Sequence, residues 1–340
     1  MQFLNWLYIQ NPRASLHLDH DALRIRAPDV DTITLPLLGL EGIVCFGWPQ
    51  VSTPLIHRCA EDGRTMVFLD SGGRFKARIE GPCHGNVLLR VDQHRAASDP
   101  HPTREIARPI VAAKLRSERA SLLRAAREKE GAGVAELRGA AVAVGNLVEA
   151  ARVAETTDAL RGYEGEGAAR YFGVFPLLIN SGSGLSFDGR SRRPPRGPVN
   201  ALLSFLYTVL RVELNAALEA TGLDPQVGFL HTLRPGRPAL ALDLMEELRV
   251  PLADRVALTL INRRQLSERH FITEPGGAYS MTAEGRQIVL GQYRSKKSEE
   301  VEHPLLKQRV PWGLVPHAQA RILARHLRGD LPTYVPFLAK

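Results

Sequence analysis

The chain has 340 residues, 44% of them apolar and 24% charged. That balance excludes a largely disordered polypeptide and leaves room for two soluble domains. The formal net charge of +8 is unevenly spread: residues 1–100 carry 10 Lys and Arg against 11 Asp and Glu, and residues 101–340 carry 34 against 25. The basicity therefore belongs to the second part, where arginine, the side chain suited to bidentate phosphate contacts, dominates. A polyanion partner accounts for it, and so does an arginine-rich solvated surface.

Met1 to Ala14 has no basic n-region and no small-residue cleavage site, so no secretory signal is read there. The longest clean apolar stretch, Ala201 to Leu210, is about half of a membrane span. Cys45, Cys59 and Cys83 are far apart with no C-x-x-C pair, which argues against a zinc knuckle or a disulfide framework and fits a reducing cytoplasm.

The first hundred residues read as short strands. Ser15 to Arg26 alternates apolar and polar residues around Asp19-His20-Asp21, a hairpin signature. Asp31 to Leu38 and Ile43 to Phe46 are further strands. Thr53-Pro54 reads as a cap followed by proline, opening a short helix with Leu55, Ile56 and Cys59 on one face. Thr65 to Leu69 and Arg74 to Ile79 flank Ser71-Gly72-Gly73 as a second hairpin, and Val87 to Val91 gives one more strand. The pattern suits a β-sandwich over residues 1–91. Residues 92–103, aperiodic and holding two prolines, read as a linker. From Arg104 to Lys340 the period is helical. Helices are expected over Glu105 to Glu130, Val134 to Val153, from Thr157-Asp158 through Tyr171, and over Ala201 to Ala220, the last closed by Gly222. Ala239 to Arg249, Leu252 to His270, Ala283 to Lys297 and His317 to Leu327 follow. Ser181 to Pro198 is the strongest loop signal. The fold class is thus α+β: an N-terminal β-sandwich and a larger all-α C-terminal domain.

Three segments of the helical part carry chemistry. In Tyr163-Glu164-Gly165-Glu166-Gly167-Ala168-Ala169, carboxylates stand among small residues, which leaves them open to a metal ion; a tight helix–helix contact with both acids in water explains the pattern as well. In Gly228-Phe229-Leu230-His231-Thr232, an imidazole follows apolar residues, as a ligand or as a satisfied core histidine. In Leu240 to Arg249, Asp243 and Glu246 share a helix face. Two acids among Leu, Ala and Met need a cation to offset desolvation, or else form an ion pair with Arg249 or Arg237. Together the three segments offer carboxylate oxygens and one imidazole nitrogen, a set suited to Mg2+ or Mn2+. In a basic helical domain such a set fits phosphodiester chemistry.

At these residues the chain resembles the CRISPR adaptation integrase family, the universal CRISPR-associated endonuclease of spacer acquisition, in wording nearest its subtype I-C form. Glu164-Gly165 with Ala168-Ala169 and Tyr171-Phe172, then Gly228 to His231, then Ala241 to Arg249 carry the likeness in order. Asp254-Arg255, Leu260 to Arg264, His303-Pro304, Gln319-Ala320 and Tyr334 to Lys340 extend it along the chain.

The resemblance implies a homodimer formed through the N-terminal domain. It also implies a small ferredoxin-like partner subunit, double-stranded DNA as substrate, and no membrane. Glu164, His231 and Glu246 are its implied metal ligands and catalytic residues. Asp243 is a possible additional ligand, and Glu166 is the alternative to Glu164. The implied reaction joins the 3′-hydroxyl of a captured fragment to a CRISPR repeat by metal-assisted transesterification. A metal-dependent nuclease acting on branched DNA in repair is the alternative enzyme. A basic scaffold without catalysis is disfavoured, because clustered acids do not suit a phosphate-binding surface that holds no cation. Arg190, Arg192, Arg193 and Arg196, in the loop from Ser186 to Pro198, are expected to be mobile and to face DNA.

Overall fold

The computed structural model describes residues 6–338 except 29, 71, 72, 74, 80, 82–86, 132 and 181. Cys83, Ser71-Gly72 of the second expected hairpin and the start of the Ser181 loop lie outside the described residues. The chain divides into two units, Met1–His84 and Gly85–Lys340.

The first unit runs β1 (Trp6–Ile9), β2 (Ser15–Asp19), β3 (Ala22–Ala27), β4 (Val30–Pro36), β5 (Gly42–Phe46), β6 (Gln50–Val51), α1 (Thr53–Glu61), β7 (Thr65–Leu69) and β8 (Phe75–Ile79). Its strands form two four-stranded sheets, ordered β1-β5-β7-β8 and β4-β3-β2-β6. β1, β5 and β7 are parallel and β8 returns antiparallel. The β2–β3 hairpin closes as expected, pairing Asp19 with Ala22, with His20 at φ 53° in the turn. One apolar cluster joins Leu16 and Leu23, Ile43, Cys45 and Met66 from the strands to Leu55 and Cys59 from α1. Every one of these side chains is removed from water, and such burial contributes about 1.5–3 kcal/mol for each large aliphatic group. Burial also pushes the Cys45 thiol up to about 12, so it packs as an inert apolar group. The helix cap differs from the expected one by a residue: Ser52 is the cap and Pro54 the second helical residue.

The expected strand at Val87 to Val91 and the linker at 92–103 are both helical. The structure has α2 (Val87–Ser98) followed after one residue by α3 (Pro100–Glu128), and the division between units falls at 84/85. Pro100 and Pro102 sit in the first turn of α3, where a missing N–H costs nothing, and the Asp99 carboxylate accepts from His101 N at 2.9 Å. Residues that look like breakers are therefore a helix start. In α2, Leu89 and Gln93 are buried four residues apart, a helical face that a five-residue apolar run conceals.

The second unit continues with α4 (Gly133–Arg152), α5 (Thr157–Gly173), α6 (Pro198–Thr221), α7 (Ala239–Leu248), a π-helical turn over Arg249–Asp254, and α8 (Arg255–Asn262). Next come the hairpin β9 (Phe271–Thr273) and β10 (Tyr279–Met281), α9 (Ala283–Ser298), the hairpin β11 (Glu300–Glu302) and β12 (Arg309–Pro311), and α10 (Val315–Leu327). The two hairpins depart from the all-α expectation: their strands are three residues long, too short to show a period. The helix expected from Leu252 to His270 ends at Asn262, where Arg264 turns the chain at φ 56°. α6 ends at Gly222, whose φ of 89° supplies the expected left-handed cap.

Among the described residues α6 alone is long and apolar enough to cross a membrane, and 72% of that apolar window is buried inside the protein. It is the central core helix of this unit. α3 packs against α4, α5 and α7, and the candidate site lies where α3, α5 and α7 meet.

Candidate metal centre

α5 begins at Thr156, whose hydroxyl accepts from Ala159 N at 3.1 Å. It turns Glu164 inward and Glu166 outward. Glu166 is about half exposed and pairs with Arg170 at 3.2 Å, whereas the Glu164 side chain is 20% exposed and meets Lys114 of α3. Just after them Gly167 lies against α3: a Cβ there would overlap the Leu115 side chain and sit 3.1 Å from Glu118 Oε2. Gly167 thus serves a close helix contact that brings Glu164 to α3, while Gly165 has no atom within 4 Å of where its Cβ would be.

His231 stands on the segment between α6 and α7, and Asp243 of α7 organises it. Asp243 Oδ2 accepts from Phe229 N at 2.6 Å and Leu230 N at 2.9 Å, and Oδ1 lies 2.9 Å from His231 N and 2.7 Å from His231 Nδ1. Gly228 permits this approach, since a Cβ at that position would fall 2.6 Å from Asp243 Oδ2 and 2.7 Å from the Ala239 carbonyl carbon. Both Asp243 oxygens are engaged, by four donors in all. Asp243 thus holds the histidine and the main chain that carries it.

Glu246, one turn along α7, is 1% exposed. Its oxygens have ionic neighbours on three sides: Lys114 Nζ at 2.9 Å, Arg249 at 3.1 Å and His231 Nε2 at 3.9 Å. Neither oxygen has a hydrogen bond of good geometry. Burial opposes its ionised form, but Arg249, Lys114 and His231 hold its pKa well below the usual carboxylate range. Burial likewise opposes the Lys114 ammonium, and the Glu246, Glu164 and Glu118 carboxyls reverse that and keep it charged.

Lys114 touches two of the three expected ligands, Glu164 and Glu246, and His231 reaches the same Glu246. No three His, Cys, Asp or Glu side chains among the described residues are drawn around one empty point; the ammonium stands between the two carboxylates. The donor set still fits a hard divalent cation, offering two carboxylates and an imidazole nitrogen whose ring partner is already satisfied. The gap already accommodates one positive charge.

Sequence reasoning misses Lys114 and Glu118. Ile110, Lys114, Glu118 and Leu122 form a stripe of period four along α3, charged in the middle and apolar at both ends, and that pattern is the available signal. Glu118 is fully buried at 4.0 Å from Lys114, and burial pushes its carboxyl up to about 8. The π-helical turn is likewise invisible in the spacing. It carries Arg249 over the Tyr207 ring at 5.0 Å and places Asp254 2.6 Å from the Tyr207 hydroxyl.

The arginine loop divides. Arg192, Arg193 and Arg196 are exposed. Arg190 is not a free surface cation: it lies over the Phe172 and Tyr207 rings at 5.9 and 5.5 Å and donates to Asn200 Oδ1 at 2.8 Å. Leu185 and Phe187 are buried, and Phe187 stacks on Phe175 with 5.0 Å between centroids. The loop is anchored by aromatic packing, contrary to the expectation of a mobile segment.

A buried carboxylate cluster with an oriented imidazole, in a basic helical unit that follows a two-sheet unit, defines a candidate phosphoryl-transfer site. The family model for CRISPR associated protein Cas1 matches residues 7–295, and the chain belongs to that family. It is 48% identical over 337 residues to "CRISPR-associated endonuclease Cas1 1" of Moorella thermoacetica, covering 98% of each chain. It is 47% identical to "CRISPR-associated endonuclease Cas1 2" of Rhodospirillum rubrum, covering 100% of this chain and 99% of the relative. A solved casposase bound to integration product superposes with a TM-score of 0.84 at 19% identity, covering 98% of this chain and 93% of that one, which establishes a shared fold.

Proposed function

We propose that the chain is a divalent-metal-dependent DNA endonuclease and integrase, inserting captured DNA fragments as new spacers into a CRISPR array by 3′-hydroxyl transesterification. The observation that supports the reading is that Lys114 bridges Glu164 and Glu246 while His231 Nε2 lies 3.9 Å from Glu246, in a Cas1 chain. The first unit, as a β-sandwich, would form the homodimer, and a small ferredoxin-like subunit would join two dimers on double-stranded DNA in the cytoplasm.

In this reading Glu164, Glu246 and His231 Nε2 hold Mg2+ or Mn2+, which supplies charge stabilisation to the transferring phosphate. The protein's own groups do the rest. Asp243 fixes the His231 ring so that Nε2 presents its lone pair. Arg249 balances the charge of Glu246 from its far side. Gly228 and Gly167 allow the backbone approaches on which the constellation depends. The exposed Arg192, Arg193 and Arg196 would bind the DNA backbone.

The test is the product. Purified protein with its small partner, Mn2+, a short duplex and a repeat-bearing plasmid should give covalent duplex–plasmid joints, and a 3′-deoxy end should abolish them. Hydrolysed ends without joints, indifferent to the 3′-hydroxyl, would mean the nuclease of branched DNA.

A further inference from the structure

Two cations, Lys114 and Arg249, already face the two carboxylates Glu164 and Glu246. A divalent ion entering the same gap would add two positive charges beside a buried ammonium, and in a poorly solvated interior such repulsion is strong. Arg249 lies behind Glu246 with its guanidinium on the Tyr207 ring, and it is packed in place. Lys114 is the flexible one, a point charge on a four-carbon stem. One turn along the same helix waits Glu118, fully buried at 4.0 Å, with no hydrogen-bond partner on either oxygen. A buried carboxyl without a hydrogen-bond partner is costly and calls for an explanation, and its ion pair with Lys114 is a long one, at 4.0 Å.

We propose that Lys114 is the resident cation of the site, holding Glu164 and Glu246 together in the ion-free protein and swinging to Glu118 when a divalent ion takes its place. The inference rests on the metal-centre reading above and deepens it. Lys114 and Glu118 then form a two-position device. The ammonium prevents two neighbouring carboxylates from repelling one another before the ion arrives, and the orphan carboxyl receives it afterwards. Lys114 acts as a positioning residue, and it makes ion affinity the difference between two competing cations. Asp243 cannot take the part of Glu118, because its oxygens are held by four donors.

The experiment titrates Mn2+ into the full chain, followed by the free-ion electron paramagnetic resonance signal, for wild type, Lys114→Met and Glu118→Gln. Thermal unfolding with and without EDTA accompanies it. Lys114→Met should melt lower than wild type in EDTA, bind Mn2+ about tenfold more tightly, and gain more in melting temperature on saturation. Glu118→Gln should bind Mn2+ about tenfold more weakly, because the displaced ammonium has no carboxylate to receive it. Lys114→Met affinity equal to or weaker than wild type overturns the proposal. If that variant does not fold, Glu118→Gln decides alone, and an unchanged affinity overturns it. No Mn2+ bound by wild type would instead sink the metal-centre reading, and this inference with it.

Discussion

His231 Nδ1 lies 2.7 Å from Asp243 Oδ1, and that contact settles what the other ring nitrogen does. A carboxylate only accepts, so Nδ1 donates, and the other nitrogen, Nε2, is turned towards Glu246 Oε1 at 3.9 Å. The ring is thus held in one orientation, with Nε2 towards Glu246, before any ion is present.

Replacing Asp243 by Asn puts an amide N–H₂ against the main-chain donors of residues 229–231. One acceptor disappears and the ring tautomer is released. Mn2+ affinity should fall by about 10–100-fold, the usual effect of removing a group that orients a ligand. Calorimetric titration reads the affinity, and long-range ¹⁵N–¹H spectra of the imidazole read the tautomer. An unchanged tautomer with unchanged affinity would refute the assignment.

Gly228→Ala tests the same geometry through the backbone. The added Cβ would fall 2.6 Å from Asp243 Oδ2, 2.7 Å from the Ala239 carbonyl carbon and 2.8 Å from Leu240 N. Two of these neighbours are main chain and cannot swing aside. Urea unfolding should show a loss of about 1–3 kcal/mol, as overpacking generally does, and joint formation should drop with it. Gly139→Ala, inside α4 where no atom lies within 4 Å of the new Cβ, is the control: it should raise stability by about 0.5–1 kcal/mol and leave joint formation unchanged.

The buried acids set a pH dependence. Burial pushes the carboxyls of Glu118, Glu247 and Asp254 up to about 8, 7 and 6. Each keeps its proton in the folded chain where the unfolded chain has released it. Stability from these groups is full below the ordinary carboxylate range and is lost as pH rises through their folded values. Glu246 has the opposite sign: its pKa is depressed, so its contribution disappears only in acid. Denaturation in urea and EDTA should show ion-free stability falling between about pH 5 and 8, and Glu118→Gln should flatten the upper part of that slope. A stability that climbs over this interval would contradict the burial argument.

Arginines of one loop should separate by assay. Arg190→Ala removes the stack on Tyr207 and the bond to Asn200, and should cost about 1–3 kcal/mol of stability while leaving the salt dependence of DNA binding unchanged. Neutralising Arg192, Arg193 and Arg196 together should leave the melting temperature alone. It should reduce the slope of log affinity against log salt by about 0.9 for each DNA phosphate that these side chains neutralise. Filter binding between roughly 50 and 300 mM salt measures it.

Much of the fold and the site is legible in the residues. The β2–β3 hairpin, the left-handed cap at Gly222 and the helices carrying Glu164 and Glu246 follow from local spacing, while the choice of Glu164, His231 and Glu246 follows from the family resemblance. What escapes is decided by burial. Pro100 and Pro102 look like breakers because composition cannot tell a first turn from a linker. Arg190 looks solvated because its aromatic partners, Phe172 and Tyr207, are remote in sequence. Lys114 hides among the charges of α3, marked only by the stripe of period four that begins at Ile110 and ends at Leu122.

Glu246 and its sequence neighbour Glu247 face opposite ways. Glu247 accepts from Tyr334 Oη at 2.5 Å, Gln319 Nε2 at 2.7 Å and Phe337 N at 2.7 Å, so the last stretch of the chain is latched to the helix that carries Glu246. Phe337, fully buried, closes the latch against Trp312, with ring centroids 5.2 Å apart. The latch fixes the roll of α7 about its own axis: a turn of the helix that withdrew Glu246 would tear Glu247 from three donors. Anyone tethering a reporter, an affinity handle or a second enzyme close to Phe337 therefore works beside this latch. A fusion that unseats Tyr334 or Phe337 would misaim a carboxylate far upstream in the chain, and the damage would look like a chemical defect while its cause is mechanical.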